Sequence, residues 1–337
     1  MPASAVNILA IESSCDDTAA AVLSNGKIRA NVVAGQEVHR LYGGVVPELA
    51  SRAHQSHILP VVRQALKQAE MDVSELSAIA FTRGPGLMGS LLVGAGFAKG
   101  LSVSVGMPLI GVDHLEAHVS AVFIEHANIP KPMLCLLVSG GHTQLVWVDE
   151  QNNMRIIGST LDDAAGEALD KAAKLLGLPY PGGPQIDRLS REGRADAFSF
   201  SVARLPDYSF SFSGLKTSLL YFLKEQEPTF VQARLNDICA SYQEQVVQYL
   251  LKVTGKAVQN LKPRSLALSG GVSANSRLRE AFRELAAQHH IPAIIPSFEY
   301  CTDNAAMIAM AAYEAYKKEH FSALSVMPYA RQPAEKD

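Results

Sequence analysis

Three segments of this chain share one design: an apolar run, a tight turn of small residues and a second regular element. That repetition limits the fold more than any other feature. The first is Ile8 to Leu23 (ILAIESSCDDTAAAVL), the second Cys135 to Val148 (CLLVSGGHTQLVWV), and the third Leu266 to Phe282 (LALSGGVSANSRLREAF). In the first two the element after the turn reads as a strand; in the third it follows helical spacing. The Ser139-Gly140-Gly141 turn recurs 130 residues later as Ser269-Gly270-Gly271. That interval is far longer than a solenoid period, so two related lobes are expected rather than a repeat array. Between the anchors the pattern is helical: 47–69 with Pro47 at its start, 87–103 behind Gly84-Pro85-Gly86, 162–176 closed by Gly177, then 231–259 and 303–318. Inside 162–176, Glu167–Lys171 and Asp170–Lys174 are spaced as i,i+4 pairs. A stiff stretch from Pro179 to Pro184 follows, and Gln332 to Asp337 reads as a frayed tail. Strands alternating with helices predict an α/β architecture.

Composition narrows the class. With 337 residues, about two domains are expected, and 48% apolar content with 19% charge excludes a largely disordered chain. The four Cys, at 15, 135, 239 and 301, form no CxxC pair and are too sparse for a disulfide framework. Reduced thiols in the cytoplasm are the expected state. No basic region precedes the first apolar run, which Glu12, Asp16 and Asp17 interrupt, so no signal peptide is expected. The uncharged stretch from Gly84 to Ala98 is short for a bilayer of about 20 residues and is read as a buried helix. A net charge of −3 argues against a surface that grips nucleic acid everywhere, while leaving room for a local basic groove.

Glycine turns let backbone N–H groups approach an anion. One such turn fits a plain hairpin equally well; two hairpin turns plus a strand–Gly-Gly–helix element are more specific. The third segment adds a helix expected to begin near Ser273, whose positive end favours phosphate and whose first turn carries Asn275 and Arg277. No GxxxxGK[ST] or GxGxxG occurs. The combination resembles the two-lobed actin, Hsp70 and sugar-kinase superfold. On that reading a nucleotide-type ligand is expected in an interlobe cleft, touching Ser139–Gly141 and Gly270–Gly271.

Asp113-His114-Leu115-Glu116-Ala117-His118 sets two imidazoles at i and i+4, on one helix face, a spacing suited to a shared metal. It is not HExxH, because Glu116 lies about 200° around the helix from His114. A paired His alone fits partner-satisfied histidines as well. Asp303, after Cys301-Thr302, is the best third donor, and two His with one carboxylate suit Fe2+ or catalytic Zn2+ with open positions for substrate. His142, after the Gly-Gly turn, reads as a turn residue rather than a ligand.

Blocks running from about Asn7 to Tyr329 resemble the bacterial TsaD family of tRNA N6-adenosine threonylcarbamoyltransferases, formerly called O-sialoglycoprotein endopeptidase or Gcp. They include IESSCDDTAAAV (11–22), YGGVVPELASRAH (42–54), GPGLMGSLLVG (84–94), HLEAH (114–118), LLVSGGHTQL (136–145), DDAAGEALDKAAKLLGLPYPGGP (162–184), SFSGLKT (211–217), SGGVSANSRLR (269–279) and CTDNAAMIA (301–309). The resemblance implies an actin-like (Hsp70/sugar-kinase-like) ATPase fold. Residues 1–130, joined by 303–329, would form one lobe and 131–302 the other. It implies transfer of a threonylcarbamoyl group from threonylcarbamoyl-AMP to N6 of adenosine 37, next to the anticodon, in tRNAs reading codons that begin with adenine, with release of AMP. It assigns one divalent metal, Fe2+ or Zn2+, to His114, His118 and Asp303. Substrate contacts fall on Leu137, Val138, Ser139, Gly140, Gly141, Asp170, Gly183, Asp187 and Asn275. It further implies TsaB-like and TsaE-like partner proteins, TsaC-type supply of the donor, and no membrane. Family members usually read Cys-Asp-Glu where this chain has Cys15-Asp16-Asp17, which leaves the role of Asp17 open.

The chemistry suits these parts. An exocyclic adenine amine is a poor nucleophile, so it needs an activated donor such as a carbamoyl–AMP mixed anhydride, held in position and stabilised as charge develops. No residue stands out as general base. A metal-dependent glycoprotein endopeptidase is one alternative, but Glu116 is on the wrong face for it. An actin-like sugar or acetate kinase is another, yet it has no evident need of the His pair. A non-enzymatic ATP-driven scaffold is a third. Basic residues are dispersed, with small groups at Lys262/Arg264 and Arg277/Arg279/Arg283, less positive surface than a tRNA footprint needs.

Overall fold

The computed structural model describes residues 5–35, 42, 44–202 and 205–331. The tail from Gln332 lies outside them. The chain divides into two compact units, Met1–Ala127 with Asp303–Asp337, and Asn128–Thr302.

The first unit is built on a five-stranded sheet. Strands β1 (Asn7–Glu12), β2 (Thr18–Ser24) and β3 (Lys27–Ala34) form an antiparallel meander, and β4 (Ala78–Gly84) and β5 (Leu109–Asp113) extend it in parallel, in the order β3-β2-β1-β4-β5. All six residues of β1 are buried, because helices cover both faces of the sheet. Such a strand reads as a continuous apolar run rather than an alternation. Helices α1 (Pro47–Gln68) and α2 (Met88–Val105) pack together on one side, and α10 (Ala305–Lys317) packs on β1 and β2 through its Ala/Met-rich face. At 18 residues and mean hydropathy 1.4, α2 is longer than its sequence pattern predicts and passes the length and composition test for a membrane span, with a third of it buried. Its buried residues include Leu91, Gly94, Ala95 and Ala98.

The second unit repeats this plan. Strands β6 (Met133–Val138), β7 (Thr143–Val148) and β8 (Met154–Ser159) make the meander, with β9 (Ser265–Ser269) and β10 (Ala293–Ile294) in parallel beyond β6. The order β8-β7-β6-β9-β10 matches the first sheet strand for strand. The two Ser-Gly-Gly turns therefore leave adjacent strands of one sheet, after β6 and after β9. Helices α4 (Ala165–Leu175), α5 (Gly182–Ser190), α6 (Ser213–Lys224), α7 (Pro228–Ala233), α8 (Leu235–Leu261) and α9 (Ser276–Gln288) enclose a core in which Tyr242, Phe210, Phe212 and Phe282 are fully buried. One further helix, α3 (His114–Ser120), belongs to the first unit.

Several boundaries move for identifiable reasons. Helix α4 starts at Ala165 rather than 162, because the Asp162 carboxylate accepts the backbone N–H groups of Phe212 (2.8 Å) and Ser213 (3.3 Å). The predicted 231–259 helix is two: Pro228 opens α7, and the backbone leaves helical geometry at Arg234 (φ −113°, ψ 15°) before α8. Helix α9 begins at Ser276, three residues later than expected, after a 3-10 turn over Gly271–Ala274. Helix α10 begins at Ala305, since Asn304 caps it by accepting the Met307 N–H, and Asp303 sits in the turn before. All four cysteines are unpaired thiols.

Candidate functional site

Strand β5 ends at Asp113, whose side chain accepts the N–H groups of Leu115 (2.8 Å) and Glu116 (3.0 Å) and so caps α3. Capping starts the helix at His114 and throws His114 and His118 onto its buried face. Glu116 is exposed. Asp303 lies 185 residues from His118 in sequence, yet α10 packs on α3 and β1 and carries the turn back to the pair. The Asp303 Oδ1 atom is 3.1 Å from His118 Nε2 and 3.6 Å from His114 Nε2. The two rings stand edge to face with centroids 4.6 Å apart. One donor atom from each of the three residues falls within 4.8 Å of the others, so one ion fits among them.

Sequence reasoning missed a fourth participant. Glu12 closes β1, is fully buried, and puts Oε2 3.2 Å from His114 Nδ1 and 2.7 Å from the Thr82 hydroxyl, which donates to it. Its Oε1 accepts the Ser14 N–H at 2.5 Å. The only signal in the sequence was a carboxylate at the end of NILAI, which read as an interruption. Burial works against charge on both Glu12 and His114. The Glu12 and Asp303 carboxylates overcome it and lift the His114 pKa to about 9, while His114 holds the Glu12 carboxyl below its ordinary value. Asp17 is pushed up to about 7, first by burial and then by the charges of Asp16, Asp303 and Glu12. Burial, with Asp16, also drives the Cys15 thiol pKa up, which works against its thiolate form.

The second unit holds the glycine turns. Leu137 and Val138 are wholly buried in β6, which leaves Ser139, Gly140 and Gly141 as the open part of that stretch. The turn closes on itself: Ser139 N–H donates to the His142 carbonyl at 2.8 Å, and His142 N–H to Ser139 Oγ at 3.1 Å. A Cβ at Gly140, Gly141 or Gly271 would meet nothing within 4 Å, whereas Gly270, at φ +86°, lies close under the Val138 carbonyl. The start of α4 presses on both turns, since a Cβ at Gly166 would come 2.6 Å from the Ser139 carbonyl oxygen and 3.0 Å from Val272 Cγ2.

The polar residues expected at the ligand are braced within this unit. Asp170 does not form the expected helix-face pair; its Oδ1 accepts the N–H groups of Gly182 (2.8 Å) and Gly183 (3.1 Å) at the start of α5. Burial raises its carboxyl pKa. Asp187 is inside α5 rather than at a solvated helix start, and is buried. Its Oδ1 accepts from Ser276 N–H (3.1 Å) and Oγ–H (2.8 Å), and its Oδ2 pairs with Arg191 (3.0 Å). Asn275 caps α9 by accepting the Leu278 N–H and donates to Gln243 Oε1 at 2.7 Å. Arg277, expected near the nucleotide, instead makes a two-pronged contact to Glu244 at 2.8 and 3.1 Å. Arg279 is buried over the Phe298 ring and donates to the Ser273 and Pro296 carbonyls. Of the Arg277/Arg279/Arg283 group, only Arg283 is an exposed surface charge.

Known proteins resemble this chain in sequence and in fold. The family model described as TsaD, tRNA N6-adenosine threonylcarbamoyltransferase, matches residues 27–310. Proteins of that name from Phocaeicola vulgatus (53% identical, 96% of this chain, 98% of the relative) and Moorella thermoacetica (49%, 96% of each) are similar along nearly their whole length. Among solved structures, T. kodakarensis HypF superposes with a TM-score of 0.67 at 15% identity over 96% of this chain and 49% of HypF. Component A of the Acidaminococcus fermentans (R)-2-hydroxyglutaryl-CoA dehydratase does so at 0.55 and 16%, over 93% and 98%. These structural likenesses speak to fold alone, and the fold is the actin-like ATPase fold.

Proposed function

This chain belongs to the tRNA N6-adenosine threonylcarbamoyltransferase family, and from that premise we propose that it moves the threonylcarbamoyl group of threonylcarbamoyl-AMP onto N6 of adenosine 37 in tRNAs reading codons that begin with adenine. The N6 atom attacks the carbamoyl carbon, a C–N bond forms, the C–O bond to phosphate breaks, AMP leaves with the electron pair, and N6 loses one proton. The observation that carries the reading is the convergence of His114 Nε2 and His118 Nε2 on one oxygen of Asp303.

That donor set fits a divalent ion, since two buried imidazoles and a carboxylate are the ligand types that Fe2+ and Zn2+ accept. Bound there, Fe2+ or Zn2+ would supply Lewis acidity and a fixed positive charge toward the donor. The open backbone at Ser139–Gly141 and Gly271 supports a role in holding the AMP phosphate, because nothing fills the space that a side chain would take. Leu137 and Val138 would act only through the strand that sets this turn. Asp170 and Gly183, Asp187 and Asn275 are the proposed contacts to the donor's polar groups, and their internal hydrogen bonds hold them in place in advance. An endopeptidase reading has no such support, since Glu116 is exposed while both histidines are buried.

TsaB-like and TsaE-like proteins are the proposed partners, and the cytoplasm, where tRNA is modified, the proposed compartment. The test is to incubate the purified chain, with and without such partners, with threonylcarbamoyl-AMP and unmodified tRNA, and to weigh the nucleosides. The expected product is threonylcarbamoyl-adenosine at position 37. Its absence in every combination would sink the proposal.

A further inference from the structure

We propose that Glu12 is the positioning residue of the metal centre: it holds the proton of His114 on Nδ1 and so leaves Nε2 as the nitrogen that ligates. The inference rests on the metal reading of His114, His118 and Asp303 given above. A fully buried carboxylate at the end of an apolar strand is costly unless donors surround it. Glu12 has three: Ser14 N–H on Oε1, and the Thr82 hydroxyl and His114 Nδ1 on Oε2. The sheet order explains the meeting. Strand β4 lies between β1 and β5, so Thr82 neighbours the end of β1, and α3 starts where β5 stops.

The opposite edge of the same ring faces the other ligands. His114 Nε2 is 3.6 Å from Asp303 Oδ1, on the side where His118 Nε2 also points. A neutral imidazole carries one N–H, and whichever nitrogen holds it cannot ligate. A carboxylate on Nδ1 therefore decides which nitrogen is available, and it also makes that nitrogen a better donor. Glutamine cannot do the same. With its carbonyl oxygen toward Ser14 N–H, its NH2 faces His114 and drives the ring to the other tautomer, which blocks Nε2. Turned the other way, the NH2 opposes Ser14 N–H.

The test measures Zn2+ affinity by competition with a chelator, and the tautomer of His114 by ring 15N spectra of the Zn2+-loaded protein. In the wild type, Nδ1 should be protonated and hydrogen-bonded while Nε2 is ligated. Glu12→Gln should weaken Zn2+ binding by about 10–100-fold, the range for partners behind a ligand. Glu12→Asp, whose shorter arm withdraws the carboxylate, should fall between. A role confined to holding β1 and β4 together would lower thermal stability and leave both readouts alone. Zn2+ affinity of Glu12→Gln within twofold of wild type, or Nδ1 found as the ligating nitrogen, would overturn the inference. Should Glu12→Gln fail to fold, the wild-type spectrum alone decides. Two results would bring down the metal reading itself: no stoichiometric Zn2+ in the wild type, or undiminished Zn2+ in His118→Ala. Normal behaviour of both, with Glu12→Gln unaffected, would bring down only the role of Glu12.

Discussion

Adding one methyl group at Gly166 should disturb both glycine turns of the second unit at once. A Cβ there would lie 2.6 Å from the Ser139 carbonyl oxygen, 2.8 Å from Gly140 Cα and 3.0 Å from Val272 Cγ2. Non-bonded carbon contacts sit near 3.5–4.0 Å, so α4 and the turns must part by roughly half an ångström or more. Overpacking of this kind costs about 1–3 kcal/mol. Alanine recovers less than about 1 kcal/mol of helix propensity, because residue 166 is only the second residue of α4. A net loss of about 1–2 kcal/mol is expected for Gly166→Ala, or roughly 2–8 °C in melting temperature for a unit of this size. Binding of AMP, read by calorimetry, should weaken with it, since the open backbone at Ser139–Gly141 moves. Gly140→Val and Gly271→Val supply the contrast. Their Cβ atoms meet nothing within 4 Å, so they should melt with the wild type yet lose about tenfold or more in AMP affinity. Wild-type melting of Gly166→Ala would refute the tight approach. Wild-type AMP binding by both valine variants would put the phosphate elsewhere.

Asp303→Ala and His114→Ala should each empty the metal site and abolish threonylcarbamoyl transfer together, and the double variant should be little worse than either, because the three donors act as a unit; full metal content in Asp303→Ala, by elemental analysis, would remove it from the set. Arg277→Ala should cost stability through Glu244 rather than tRNA affinity. Burial raises the Glu244 carboxyl pKa, but hydrogen bonds from Arg277 and Gln248 outweigh it and leave the pKa below its ordinary 4.5. The contribution is therefore present above pH 4.5 and lost as pH falls through the lower folded value, so denaturant melts should separate variant from wild type at pH 7 and converge near pH 2. Tyr329 donates its hydroxyl to Asp113 Oδ2 at 2.5 Å, behind the carboxylate that caps α3. Tyr329→Phe should lose about 1.5–3 kcal/mol, the range for a hydrogen bond to a charged group, and a chelator titration should show a few-fold weaker Zn2+ binding.

Local chemistry carried much of the answer. Continuous apolar runs, Gly-Gly turns and helical spacing act over a few residues, so the three recurrent segments, the helix with its i,i+4 histidines and the α/β class were readable from composition and period alone. The duplication was expected from the repeated Ser-Gly-Gly, yet both copies lie in the second unit, after β6 and β9, and it is the shared strand order that relates the two units. What stayed hidden depends on residues far apart in sequence but adjacent across a sheet. Glu12 is a solitary carboxylate until β4 and β5 line up beside β1 and bring Thr82 and His114 to it. Asp187 and Arg277 likewise had charge and helix position but no partner, and Asp170 had only the i,i+4 spacing to Lys174; the packing of α4, α5, α8 and α9 supplied Ser276, Glu244 and Gly182 instead. A side chain's type is a local property. Whether its charge is buried, and what pays that desolvation, is set by which strands and helices the tertiary fold lays against it.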